Sequence, residues 1–243
     1  MTNAWSGSGT LTVQRQGESA GAAEDLDAGI GLLREVAAGT TGATLRLYRP
    51  APTVAFGQRD SRLPGFPAAA AACLDQGFAP LVRRAGGRAA AYHQGCLVVD
   101  HVEPHADAVA RTKARFLAFG DLFAESLQDL GIDAAVGEIP GEYCPGEFSV
   151  HGTGDHRPPA EPLSVKLVGT AQRVISGAWL FSSVIVVEDS APIRRALTSA
   201  YSALGLDWDP RTAGAAEDLV PGITVDDVEA AVLRAYARTV DLR

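Results

Sequence analysis

The chain is poor in cysteine and has no long apolar run. It carries three cysteines in 243 residues, and this odd, widely spaced set excludes a disulfide framework and a Cys-x-x-Cys zinc knuckle. No run approaches the roughly 20 apolar residues of a membrane-spanning helix, and the first residues lack the charged and apolar regions of a signal peptide. We therefore expect a soluble, cytoplasmic protein.

Positive charge is also scarce. Against 29 Asp and Glu there are 21 Lys and Arg, which makes the formal net charge −8. A net negative charge of this size repels nucleic acid and anionic membranes, so neither is expected as a partner. Apolar residues at 47% and charged residues at 21% are ordinary globular values, which excludes a disordered chain.

The hydrophobic periodicity predicts clusters of strands with helices between them. Helices are predicted over 24–36, 65–76, 107–130, 192–204 and 224–240, the last with its N-cap at Thr224. Strand patterns cover 45–48, 53–56, 80–84, 89–93, 96–102, 148–150, 163–167, 173–176 and 178–187. This order predicts an α+β fold with a mostly antiparallel mixed sheet flanked by helices. Residues 1–20 are expected to be a loose N-terminal segment, 21–205 the main domain and 206–243 a C-terminal helical extension.

An arginine-rich segment with two glycines, Arg83 to Arg88, is the first candidate site. Paired glycines let a ligand approach main-chain N–H groups, and arginines supply donors for a carboxylate, a phosphate or a carbonyl oxygen. Taken alone, the segment is more typical of a glycine hairpin with solvated arginines than of a ligand site. It matches neither a Walker A loop nor a Gly-x-Gly-x-x-Gly fingerprint.

The setting of Cys144 differs from that of the other two cysteines. Pro145 and Gly146 follow it and indicate a tight turn, so its thiol is expected at a loop apex. Cys73 in an alanine-rich helix and Cys96 in an apolar strand are expected in the core. A thiol near its reference pKa of about 8.5 is mostly protonated at neutral pH, so a reactive Cys144 needs a nearby cation.

Lys166 lies in an apolar strand of a chain that has only one other lysine, Lys113. It is either a strand residue facing solvent or a partly desolvated amine that polarises an acyl carbonyl, lowers the pKa of a thiol or accepts a proton. The histidines predict no metal site, because Pro104 disrupts the spacing of His101 and His105. All histidines except His93 are expected at the surface.

Four motifs, taken in order, resemble those of the lipoate- and biotin-protein ligase superfamily. They are residues 53–60 (TVAFGQRD), 82–87 (VRRAGG), 143–146 (YCPG) and 166–173 (KLVGTAQR). A cysteine placed before the lysine resembles the octanoyl-transferase and octanoyl-amidotransferase branch. The resemblance implies a class II biotin/lipoate ligase-like catalytic domain over 21–205. It also implies transfer of an octanoyl or lipoyl group onto a lysine of a lipoyl carrier domain, such as the glycine cleavage H protein or the E2 subunits of 2-oxoacid dehydrogenases.

The resemblance also implies roles for individual residues. Cys144 would be the nucleophile that holds the acyl group as a thioester, and Lys166 would lower the thiol pKa and position the acyl carbonyl. The implied substrate-binding residues are Arg83, Gly86, Gly87, His93, Gly169, Thr170 and Gln172. A transferase of this kind would need no cofactor. The alternatives are a ligase that uses ATP and Mg²⁺ and acts through lipoyl-AMP, and an acyl-binding protein of the same fold without turnover.

The chain departs from the family pattern in several places. Ala85 stands where the family often has Ser or Thr, and His93 lies one residue later than the related histidine. No cysteine follows Lys166, which disfavours the branch whose nucleophile comes after the lysine. The long insert at 151–162 is expected to be a lid or a carrier-docking loop. A local basic face for an acidic carrier is expected from Arg83, Arg84 and Arg88.

Overall fold

The computed structural model describes residues 9–154 and 163–243. The strands are β1 (Thr10–Gln16), β2 (Thr44–Tyr48), β3 (Thr53–Phe56), β4 (Ala79–Val82), β5 (Ala90–Tyr92), β6 (Cys96–Pro104), β7 (Asp133–Val136), β8 (Val150–Gly154), β9 (Leu163–Ile175), β10 (Ala178–Val186) and β11 (Asp241–Leu242). The α-helices are α1 (Ala22–Ala37), α2 (Phe66–Asp75), α3 (Thr112–Gln128), α4 (Ser190–Leu204), α5 (Ala216–Leu219) and α6 (Val225–Ala237), and two short 3-10 helices lie at Asp60–Arg62 and Pro210–Thr212. The predicted α+β class is confirmed.

An eight-stranded sheet in the order β11-β1-β2-β6-β10-β9-β8-β7 forms the centre of the molecule. The two pairings of β1 are parallel and the remaining ones are antiparallel, as the clustering of strands predicts. A second sheet, in the order β4-β3-β5, carries the segment before the paired glycines. Its strands β4 and β5 are joined by residues 83–89, so the arginine–glycine segment is a loop at one end of this sheet.

Helices cover both faces of the large sheet. On one face α3 and α6 pack against it, with Phe119, Trp179 and Tyr236 fully buried between them. On the other face α1 packs through Leu33 against Leu180 of β10. Helices α2 and α4 pack on each other and on the small sheet. Helix α4 also contacts the loops that follow β4 and β7.

The prediction of a loose N-terminal segment is wrong for residues 10–16. They form β1, which pairs with β2 on one side and β11 on the other. Leu11 is completely buried and Val13 packs against the core, with polar residues at the alternate positions. This alternation is the period of a strand, and the polar composition of the segment hid it. Residues 1–8 lie outside the described residues.

The segment 206–243, predicted as a helical extension, completes the main core. Its last helix, α6, begins at a capping box in which Thr224 Oγ1 accepts from the Asp227 N–H and the Asp227 carboxylate accepts from the Thr224 N–H. Val232 and Tyr236 of α6 are fully buried against α3 and the sheet. Because β11 then pairs with β1, the end of the described chain forms an edge strand of the large sheet.

Two further expectations concern His101 and the insert at 151–162. His101 is not at the surface: it lies on the central strand β6, buried against the rings of Phe119 and Trp179. The predicted lid or carrier-docking loop begins as β8, and its remainder, 155–162 with His156, lies outside the described residues. Among the helices that are described, none combines the length and the apolar composition required to cross a lipid bilayer.

Candidate active site

Cys144 sits on a turn between β7 and β8 in a strained main-chain conformation. Its φ is +43°, a left-handed value that is uncommon for residues other than glycine, and a following proline such as Pro145 disfavours helical conformations further. Two side chains hold it there. The Cys144 N–H donates to Tyr201 Oη at 2.8 Å, and its carbonyl oxygen accepts from Lys166 Nζ at 2.7 Å. The surrounding fold therefore determines the position of this thiol.

Lys166 is almost completely buried, with 2% of its surface exposed, so it is not a solvent-facing strand residue. Its ammonium donates to Glu142 Oε1 at 3.0 Å, to the Tyr143 carbonyl at 3.1 Å and to the Cys144 carbonyl at 2.7 Å. Since an ammonium has three hydrogens, these oxygens use all of them. Lys166 thus holds the turn that carries the thiol, and its action on the thiol and the acyl carbonyl stays a prediction.

Glu142 completes this buried ion pair and was not predicted as a site residue. Its carboxylate is fully buried and also accepts from Ser149 Oγ at 2.6 Å and from the Gly146 N–H at 3.1 Å. The charged pair therefore ties the two ends of the turn to β9. Paired and hydrogen-bonded on several sides, both charges meet the conditions under which ions are tolerated inside proteins.

The arginine–glycine loop brings a cation to the sulfur. The Arg88 main-chain N–H donates to Cys144 Sγ at 3.1 Å, and Arg83 Nη2 lies 3.7 Å from the same sulfur. The loop is held in place because Arg88 pairs with the buried Asp60 at 2.9 Å and Arg83 Nη2 donates to the Arg88 carbonyl at 2.8 Å. One main-chain donor and one guanidinium thus face the thiol.

This inward arrangement changes the predicted basic face. Arg83 and Arg88 are partly buried and directed to Cys144 and Asp60, and of the three arginines only Arg84 is exposed. The docking face formed by all three arginines stays a prediction, although Arg83 and Arg88 also have partners inside the site. Arg173 adds to Arg84 at the surface, because its guanidinium donates to the Arg84 carbonyl at 3.3 Å.

Gly87 is required by geometry, which gives a first testable prediction. Its φ is +103°, and a Cβ there would lie 2.3 Å from Arg83 Nη2 and 3.0 Å from Cys144 Sγ. We expect Gly87→Ala to lower the free energy of unfolding by about 1–3 kcal/mol, the usual cost of such strain, and to slow alkylation of Cys144 by displacing Arg83. The matched control is Gly86→Ala, whose Cβ would meet no atom within 4 Å. Equal behaviour of the two variants in thermal unfolding and alkylation would contradict this prediction.

A cavity of about 390 Å³ opens beside Cys144. The structure brings all but one of the predicted site residues to its wall, namely Arg83, Gly86, Gly87, Cys144, Lys166, Gly169, Thr170 and Gln172. Apolar side chains that were not predicted complete the wall, among them Phe116, Phe148, Val174 and Val184. A largely apolar cavity with a few directed polar groups is typical of a site for an apolar ligand with one polar end.

His93 does not line this cavity. Its Nδ1 accepts from the Gly95 N–H at 2.9 Å, which leaves Nε2 to donate to the Asp189 carbonyl, also at 2.9 Å. Both ring nitrogens are therefore used in fixing the turn between β5 and β6. The side chain is 4% exposed, and its place in the fold is structural.

Gln172 lies at the end of the cavity remote from Lys166 along β9. Its Oε1 accepts from Nε of Arg115, a fully buried residue of α3 whose guanidinium lies over the Trp179 ring, 5.0 Å from its centre. Because arginine offers only donors, this contact fixes which end of the Gln172 amide is the oxygen. Arg115 was not predicted, since its interior position is visible only when α3 is packed on the sheet.

The other two cysteines lie in the core, as predicted. Both Cys73 and Cys96 are completely buried. Burial disfavours a thiolate and raises the pKa of Cys73 to about 11 and that of Cys96 to about 12. They remain protonated at neutral pH, and of the three thiols only Cys144 borders the cavity. Over the ranges 9–154 and 163–243 there is no group of three or more His, Cys, Asp or Glu side chains arranged to hold a metal ion.

Comparison with known protein families gives a match over most of the chain. The profile of the lipoyl protein ligase A/B catalytic domain matches residues 23–237. An octanoyl-[GcvH]:protein N-octanoyltransferase of Exiguobacterium sp. is 28% identical over 80% of this chain and 69% of its own length. An enzyme of the same name from Geobacillus kaustophilus is 27% identical over 79% of this chain, which spans only 64% of that relative.

Solved structures share the fold. A crystal structure of lipoate-protein ligase A bound with ATP superposes with a TM-score of 0.72 at 18% identity, covering 96% of this chain and 87% of that one. A bipartite lipoate protein ligase of Thermoplasma acidophilum, studied with its E2 lipoyl domain, gives a TM-score of 0.67 at 20% identity, with coverages of 97% and 85%. At these identities the similarity establishes the architecture alone.

Proposed function

Because the chain belongs to the lipoyl protein ligase A/B catalytic domain family, we propose that it transfers an octanoyl or lipoyl group to the lysine of a lipoyl carrier domain through a thioester on Cys144. The observation that carries this proposal is the position of the Cys144 sulfur. It lies at the wall of an apolar cavity, with the Arg88 N–H at 3.1 Å and the Arg83 guanidinium at 3.7 Å. The curated relatives named octanoyltransferases support octanoyl as the group transferred.

The proposed reaction proceeds in two acyl transfers. In the first, the Cys144 sulfur attacks the acyl carbonyl carbon, the bond from that carbon to the donor carrier breaks, and the donor leaves with the thiol proton. In the second, the ε-amine of the acceptor lysine attacks the thioester, the carbon–sulfur bond breaks, and the amine proton returns to the sulfur. The acyl group is never released to water, so no nucleotide is required for its activation.

The residues of the site divide this work. Arg83 and the Arg88 N–H stabilise negative charge on the sulfur before attack and when the sulfur leaves. Lys166 and Glu142 keep the turn in its strained conformation, so that the thiol faces the cavity. Apolar side chains such as Phe116 and Val184 are suited to the hydrocarbon chain, which gains roughly 0.8 kcal/mol for each buried CH₂ group.

The proposed partners are lipoyl carriers. The relatives' names contain GcvH and a protein as the two carriers, and we extend this to the glycine cleavage H protein and to the E2 domains as substrates of this chain. A ligase reaction with ATP and Mg²⁺ is the second candidate, because a fold neighbour was crystallised with ATP. The two candidates differ in whether Cys144 becomes acylated.

Intact-mass spectrometry tests the proposal directly. On mixing the protein with octanoylated carrier in the absence of ATP, we expect the protein to gain the mass of one octanoyl group. Hydroxylamine should remove it, because a thioester is cleaved where an amide is not. Cys144→Ala should gain no mass, and Cys73→Ala, which changes a buried helical thiol, should behave as the wild type. Carrier acylation that needs free octanoate or lipoate with ATP and Mg²⁺, and that survives Cys144→Ala, would select the ligase instead.

A further inference from the structure

Tyr201 reaches the active-site turn from a distant part of the chain. It lies on α4, 57 residues beyond Cys144, and its side chain is buried with 3% exposed. Its ring packs against Trp208 with centroids 5.6 Å apart. Aromatic packing therefore holds the ring, and the hydroxyl is available for hydrogen bonds to other parts of the chain.

That hydroxyl joins two loops. Tyr201 Oη accepts from the Cys144 N–H at 2.8 Å and donates to the Ala89 carbonyl at 3.0 Å. Ala89 follows Arg88, whose own N–H donates to the Cys144 sulfur at 3.1 Å. The hydroxyl is thus one link in a closed ring of hydrogen bonds that passes through the nucleophile twice, once at its main-chain nitrogen and once at its sulfur.

We propose that Tyr201 is a positioning residue for the nucleophile, which its hydroxyl holds against the Arg88 N–H by bridging Cys144 and Ala89. Without the bridge, the part-buried Cys144 N–H and the buried Ala89 carbonyl lose their partner, and the two loops are free to separate. The distance between the sulfur and the Arg88 N–H is the one that this separation changes. Lys166 holds only the other side of Cys144, at its carbonyl, so it does not replace the bridge.

The role rests on the proposed function in one respect, that Cys144 is the nucleophile. The two groups that face the sulfur, the Arg83 guanidinium and the Arg88 main-chain N–H, belong to the opposite loop. The Arg88 side chain ties that loop to Asp60 of the 3-10 helix at Asp60–Arg62. The effect of the two groups on the sulfur therefore depends on how closely that loop approaches. Tyr201 controls this approach without touching the sulfur or the cavity, since it is not among the cavity-lining residues.

Tyr201→Phe isolates the hydroxyl, because phenylalanine retains the packing on Trp208. With iodoacetamide at pH 7, we expect Cys144 to be alkylated about ten-fold more slowly, because the sulfur loses its close contact with the Arg88 N–H and the Arg83 guanidinium. In octanoyl transfer kcat should fall by about ten-fold with KM unchanged, the sign of an interaction that matters in the transition state and not in ground-state binding. Peptide mass mapping assigns the alkylation to Cys144. The control is Ser202→Ala, which removes an exposed hydroxyl from the same helix.

Each outcome decides the proposal. Alkylation of Tyr201→Phe at the rate of Ser202→Ala overturns it, and so does faster alkylation, which would mean that the hydroxyl only keeps the turn closed. Hydrogen exchange in the wild type is a second measurement that needs no variant: the Cys144 amide should be protected, and exchange at the rate of an open turn overturns the bridge. If the wild type transfers no acyl group, the proposed function fails while the alkylation result still judges Tyr201.

Discussion

Cys144→Ser is expected to lower octanoyl transfer between carriers by at least about a thousand-fold. A serine hydroxyl fits the same turn but is far less acidic than a thiol, so the Arg88 N–H and Arg83 at the sulfur position do not make it a nucleophile at neutral pH. Lys166 is already bonded to three oxygens and offers no base. The measurement is the initial rate of octanoylation of an unmodified carrier lysine, followed by mass spectrometry.

The control for this prediction is Cys73→Ala. Cys73 is buried in the alanine-rich helix α2 and does not line the cavity. Alanine is compatible with that helix. We expect its transfer rate to stay within about two-fold of the wild type, as for a conservative change away from the site. If Cys144→Ser retained the full rate, the thioester mechanism would be excluded, and a direct or nucleotide-dependent route would have to replace it.

Lys166→Met is expected to lower the free energy of unfolding by about 3–5 kcal/mol, the cost of leaving a buried charge without its partner. Glu142 is fully buried, and its carboxylate would retain only neutral donors such as Ser149 Oγ and the Gly146 N–H. Because Lys166 also holds the Tyr143 and Cys144 carbonyls, transfer activity should be lost together with stability. Urea unfolding, followed by circular dichroism, measures the change.

Two further variants test whether the loss of stability comes from the unpaired Glu142 charge. Lys166→Met combined with Glu142→Gln removes both charges, and we expect it to recover part of the lost stability without recovering activity. Lys113→Met breaks an ion pair with Glu147 in which both side chains are about 70% exposed, and its cost should stay below about 1 kcal/mol. A Lys166→Met cost no larger than that of Lys113→Met would show that the buried pair does not stabilise the turn.

The order of local elements was readable from the sequence. Periodicity predicted the helices around 24–36, 65–76 and 192–204 to within a few residues, because one face of each packs on the core and its apolar spacing records that. The turn at Cys144 was predicted from Pro145 and Gly146, since these residues restrict the main chain locally. The burial of Cys73 and Cys96 followed from their apolar neighbours.

Strands without an apolar pattern were not readable in this way. Residues 10–16 look like a loose segment because most are polar, yet they pair on both sides in the sheet. Residues 96–102 were predicted as a strand, but the burial of His101 on it was missed. Which strand is central depends on the order of strands in the sheet, and main-chain pairing leaves little trace in any single segment.

The sequence by itself determined the fold class, the turn that presents Cys144 and most of the polar residues that line the cavity. Only the tertiary structure decided how those residues divide their tasks: that Lys166 binds carbonyls, that an arginine loop faces the sulfur, that His93 stays outside and that Tyr201 joins two loops. The physical reason is distance along the chain. Local spacing records which face of an element is buried, whereas hydrogen bonds between residues 22 to 112 positions apart exist only once the elements are packed.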